Sequence, residues 1–92
     1  MAQTKFHITY TDRRTTISVD TILSELMAIR LKQTPGTAEA HNAVRGWLQS
    51  TLIERLGEYS GGRSSQFARE YLILAIADKR LVDTWRDWQL DD

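Results

Sequence analysis

Apolar and polar residues alternate twice near the start of the chain. Phe6, Ile8 and Tyr10 are separated by His7 and Thr9, the period of a half-buried strand. After the polar, turn-like Thr11-Asp12-Arg13, the run Arg14-Thr15-Thr16-Ile17-Ser18-Val19 alternates again and is rich in β-branched residues. Two arrangements fit this β ribbon over 5–19. The segments form a hairpin within the chain, or the second strand pairs with another copy.

From Asp20 onward the period lengthens. Asp20 is a good N-cap, and Ile22, Leu23, Leu26, Met27 and Leu31 recur at helical spacing, which predicts a helix over about 20–32. Thr34-Pro35-Gly36 contains the single proline and is expected to stop it. Thr37 is placed to cap a second helix over 37–56. Its stripe is Ala40, Ala43, Val44, Trp47, Leu48, Leu52 and Leu56, interrupted by Gly46 at modest cost and ended by residues 57–62. Ser64 or Ser65 is expected to cap a third helix over 64–80, with Phe67, Tyr71, Leu72, Ala75 and Ile76 facing inward. Leu81, Val82, Trp85, Trp88 and Leu90 continue a helical pattern through an acidic segment, 81–92. No internal repeat or low-complexity stretch is visible. The fold class is mostly α behind a short N-terminal β ribbon or hairpin.

Ninety-two residues suffice for one domain with a thin core, which dimerisation would thicken. Apolar residues make up 41% and charged residues 26%, a balance that argues against disorder. Without cysteine the chain can form neither disulfides nor thiolate zinc sites. No apolar run approaches the roughly 20 residues of a membrane span, and Met1 to Lys5 lead into no signal-peptide core. The expectation is a cytoplasmic protein with no membrane association and no cofactor. Twelve basic residues balance twelve acidic ones, which by itself weighs against nucleic-acid binding. The charges are unevenly placed, however. Residues 1–36 carry five bases against three acids, and the last ten carry four acids against one base.

Arg14-Thr15-Thr16-Ile17-Ser18-Val19 followed by a capped amphipathic helix resembles the opening of ribbon-helix-helix DNA-binding proteins. Gly62-Arg63-Ser64-Ser65-Gln66-Phe67-Ala68-Arg69-Glu70-Tyr71-Leu72 resembles the start of that family's second helix, with a Ser-rich turn and an Arg one helical turn in. The resemblance covers roughly 13–31 and 63–79 and makes 32–61 an insertion holding an extra helix. In another registration the helix from Thr37 is itself the second helix, and the remainder is an extension. The resemblance implies a dimeric regulator of repressor, antitoxin or plasmid or phage accessory type, whose β ribbon enters the major groove. Alternation would then turn Ile17 and Val19 to the core, and Arg14, Thr16 and Ser18 to base edges. Arg13, Arg63, Ser64 and Ser65 would hold phosphates at a helix N-terminus. An ordinary solvated strand face explains Arg14, Thr16 and Ser18 about equally well.

His7 and His41 are far apart in sequence and have no second ligand at i+3 or i+4, so no metal site is expected. Glu54, Glu58 and Glu70 read as solvated helix faces. Ser24, Ser50, Ser60, Ser64 and Ser65 fit no nucleophile motif, and Gly61-Gly62-Arg63-Ser64-Ser65 lacks the Lys of a phosphate-binding loop. An enzyme is therefore not expected. Trp47 reads as core. Trp85-Arg86-Asp87-Trp88 either packs back onto the body or anchors a protein partner through Trp85, Arg86 and Trp88. Such a tail would hold a protein partner while the ribbon holds DNA; the alternative, which the zero net charge favours, is a protein-interaction module, such as a small inhibitor or adaptor, that meets no nucleic acid.

Overall fold

A computed structural model describes residues 2–9, 13–56 and 63–90. Tyr10, the turn residues Thr11 and Asp12, the helix stop at 57–62, the side chain of Leu56, and residues 91–92 lie outside the described residues. Strands β1 (Gln3–Thr9) and β2 (Arg14–Asp20) are followed by helices α1 (Thr21–Arg30), α2 (Ala38–Leu56), α3 (Ser64–Ile76) and α4 (Lys79–Leu90). None of these helices is long and apolar enough to cross a membrane.

The two strands pair antiparallel within the chain, with Phe6 opposite Ile17 and Thr4 opposite Val19. The hairpin arrangement is therefore the one adopted. Phe6, Ile8, Ile17 and Val19 are buried, so the alternation read from sequence does divide the hairpin into an inner and an outer face. The inner face rests on three helices. Helix α2 runs beside β1, α3 runs beside β2, and α1 touches both strands and both of those helices. Val44, Leu48 and Leu52 of α2 and Ala68 and Leu72 of α3 complete the core, and Ala43 and Trp47 are half-buried at its edge. Each fully buried aliphatic side chain contributes about 1.5–3 kcal/mol.

Thr37 caps α2 as expected, its Oγ1 accepting the Ala40 N–H at 3.1 Å. Other expectations need correction. Asp20 precedes α1 but makes no side-chain cap bond; its carboxylate binds Gln3 and Arg69 instead. Helix α1 turns a different face inward than Ile22 and Leu26 suggested: Ser24, Met27 and Ala28 are buried, while Ile22 and Ile29 are 61% and 59% exposed. Crowded with apolar residues, this helix offers two stripes, and packing selects the one with the smaller side chains.

As expected, the same helix ends before the proline. Lys32 takes a left-handed conformation (φ 63°). The Gln33 N–H then bonds back to the Ala28 carbonyl at 2.8 Å and the Lys32 N–H to Ile29 at 2.9 Å, which is a Schellman ending built on lysine. Finally, the expected 64–80 helix is two helices. The backbone turns extended at Ala77 (ψ 155°). Asp78 then starts α4, its Oδ1 accepting the N–H groups of Arg80 and Leu81 at 2.9 and 3.3 Å.

Candidate nucleic-acid interface

Because Phe6 and Ile8 face inward, Lys5, His7 and Thr9 must face out; because Ile17 and Val19 face inward, Arg14, Thr16 and Ser18 must do the same. Lys5, His7, Thr9, Arg14 and Thr16 are exposed and Ser18 is half-buried. His7 and Thr16 are cross-strand partners, with Nδ1 and Oγ1 3.1 Å apart. Arg13 is exposed immediately before β2.

Both outer edges of the hairpin are met by side chains from helices. On β1, the Thr9 N–H donates to Gln49 Oε1 of α2 at 3.2 Å. On β2, the Ser18 N–H donates to Ser65 Oγ of α3 at 3.0 Å. The fold thus brings together the two segments singled out in the sequence, 13–18 and 63–65. The serines, however, serve the protein itself. Ser64 is buried, and the Ser65 hydroxyl is taken up by the strand. The position preceding α3 belongs to Arg63, with no side-chain cap bond. Arg63 is exposed, its guanidinium 5.4 Å from the centre of the Phe67 ring. Of the residues expected at phosphates, Ser64 is closed to solvent and Arg63 is open.

One helical turn into α3, Arg69 Nε donates to Asp20 Oδ2 at 3.2 Å, and Gln3 Nε2 donates to Oδ1 at 2.7 Å. These two hydrogen bonds, the Arg69 one foremost, hold the Asp20 carboxyl below its ordinary value of 3.8. The one acid among the described residues of the hairpin is thereby paired with a cation.

At the other end of the hairpin lies a recess with an empty volume of about 1220 Å³, open to solvent. It is lined by His7, Thr9, Arg14 and Thr16 from the strands and by His41, Asn42 and Arg45 from α2. His41 is fixed by stacking on Phe6, with ring centroids 4.5 Å apart and planes 19° from parallel. The two histidines, distant in sequence, share this recess with two arginines, and no carboxylate among the described residues lines it. Lys5, His7 and Thr9 could have been found from the alternation of β1. His41, Asn42 and Arg45 carry no such signal, because only the packing of α2 along β1 delivers them. No group of three or more histidines and carboxylates placed to hold a metal occurs among the described residues.

The three residues read as a protein anchor separate on α4. Trp85 lines a groove with Tyr71 and Ile73 of α3. Arg86 turns toward Trp47 and Leu74, and Trp88 is 63% exposed. No protein-family model matches the chain, and neither a curated protein nor a solved structure resembles it.

Proposed function

We propose that the protein binds duplex DNA through the outer face of its hairpin, as a small regulator of repressor, antitoxin or accessory type. A two-stranded antiparallel ribbon fits the major groove, and here one chain supplies both strands. The observation that carries this reading is the recess shared by Arg14, Arg45, His7 and His41, which has no acid among the described residues of its lining and opens onto the polar face of the hairpin. Arg14 has the two-pronged geometry for a guanine edge, and Thr16 and Ser18 serve several bases. Lys5, Arg13, Arg45 and Arg63 supply charge toward phosphates on either flank. Zero net charge is compatible with this because Arg14 and Arg45 share one recess while Asp83 and Asp87 lie away from it on α4.

The test is a band shift on random-sequence duplex at low salt. Binding is expected to weaken steeply as salt rises, and each phosphate-contacting cation removed should lower the log–log salt slope by about 0.9. Arg14→Ala combined with Arg45→Ala should abolish the shift while leaving the circular dichroism spectrum unchanged. A folded protein that shifts no duplex at low salt overturns the reading. The exposed tryptophans of α4 favour a second reading, a protein-interaction module. Deleting 83–92 would then abolish capture of its partner and leave the fold intact.

A further inference from the structure

Helix α4 has only 12 residues, and none of the other elements packs broadly against it. Val82 is its one buried side chain. Isolated helices shorter than roughly 12–15 residues are marginal in water and depend on a covered apolar face. The apolar face of α4 is present but uncovered. Leu81, Trp85 and Trp88 recur at i, i+4 and i+7 and are 65%, 41% and 63% exposed. With Ile73 of α3 they leave on the order of 400 Å² of apolar surface per chain.

The charges of α4 specify what covers it. A helix N-terminus favours acids and its C-terminus favours bases. Helix α4 meets this preference at its Asp78 cap but sets Lys79 and Arg80 against it in the first turn, and it carries Asp87, beside Arg86, near its end with no base in its last turn. The sequence continues with Asp91 and Asp92. A second α4 laid antiparallel reverses this conflict, placing an acidic end beside each basic end. Arg80 and Asp87 are seven residues apart and lie on the same flank of the apolar stripe, so a two-fold axis near Trp85 brings each toward the other's counterpart.

We infer that α4 is a self-association helix: two copies of this chain pair antiparallel through Leu81, Trp85 and Trp88, with Arg80 of each facing Asp87 of the other. The pair would cover on the order of 800 Å², the size of a weak, concentration-dependent interface. The inference stands independently of DNA binding. In a dimer the two hairpins would be held in fixed relation by a seam remote from either.

Sedimentation of the full chain over a range of concentrations tests it, with circular dichroism reporting the fold. The wild type should pass from monomer to dimer. Trp88→Asp should weaken dimerisation at least ~30-fold, as expected for a tryptophan hot spot. Arg80→Asp should weaken the dimer while raising the helicity of the monomer, since an acid in the first turn suits the helix dipole. These opposite signs separate an interface role from a merely structural one. Adding Asp87→Arg to Arg80→Asp should restore the dimer. A wild type that stays monomeric throughout overturns the inference. So does a dimer indifferent to Trp88→Asp or to the charge exchange, because its seam would then lie elsewhere.

Discussion

At the hairpin the exposed side chains are polar, and the backbone is tied to distant parts of the chain. The Thr9 N–H is held from α2, the Ser18 N–H from α3, and Asp20 by both Gln3 and Arg69. On α4 a stripe of apolar side chains, Leu81, Trp85 and Trp88, stands exposed among charged ones, and the hydrogen bonds are local: the Asp78 cap, and Thr84 donating to the Arg80 carbonyl at 2.9 Å. A polar surface can stand in water indefinitely, and fixing its backbone defines where each group points. A helix with one buried side chain and an uncovered apolar stripe is incomplete in water. The first arrangement suits recognition of a charged, structured ligand. The second suits association, with part of the helix's stability supplied from outside.

The contrast can be broken most forcefully from within. Leu48→Ala removes a fully buried side chain beneath the hairpin and should cost about 2–5 kcal/mol. Trp88→Ala, measured at high dilution, should cost under about 0.5 kcal/mol. Urea unfolding of both variants measures the ratio, and equal losses would place Trp88 in the core. Removing the cap with Asp78→Ala should cost about 1 kcal/mol. Amide exchange should localise that loss to α4 while protection in β1 and β2 persists; a uniform loss would mean that α4 and the hairpin melt as one.

Two gains of similar size test the backbone reading. Lys32→Gly relieves the left-handed residue at the end of α1 and should raise stability by about 1 kcal/mol. Gly46→Ala meets open space on an exposed helix position and should add roughly 0.5–1 kcal/mol. A rise in thermal midpoint checks each.

The smallest effect concerns Asp20. Its carboxyl titrates below the ordinary value in the folded chain, so the pair's contribution is complete above that value and is lost as pH falls through the lowered one. Asp20→Asn should therefore flatten the acid limb of a stability–pH curve without moving the neutral plateau appreciably, since exposed ion pairs contribute little.

The hairpin and α2 were legible because each has one unambiguous period. Phe6, Ile8, Ile17 and Val19 could face only one way, and Ala40, Val44, Leu48 and Leu52 form a single stripe. The phase of α1 was not legible, since both Ile22-Leu26-Ile29 and Ser24-Met27-Ala28 satisfy helical spacing, and only the neighbouring elements decide. The break at Ala77-Asp78 involves neither glycine nor proline, the residues that mark such points in a sequence, whereas Pro35 did mark the end of α1, though not the left-handed lysine that forms it. Half of the candidate interface followed from alternation. The rest, His41, Asn42 and Arg45, arrives through a contact between elements more than thirty residues apart.

The bond from the Ser18 N–H to Ser65 has a consequence for the behaviour of this chain in crowded solution. A two-stranded ribbon has no inner strands, so every hairpin of this kind carries two edges able to template a foreign strand and begin cross-β growth. Here a glutamine closes one edge at Thr9 and a serine closes the other at Ser18. Both edges are blunted by side chains alone, leaving the outer face clear. A chain lacking the Ser65 hydroxyl would keep its core and gain a sticky edge, and its loss would appear during concentration and storage sooner than in a melting curve.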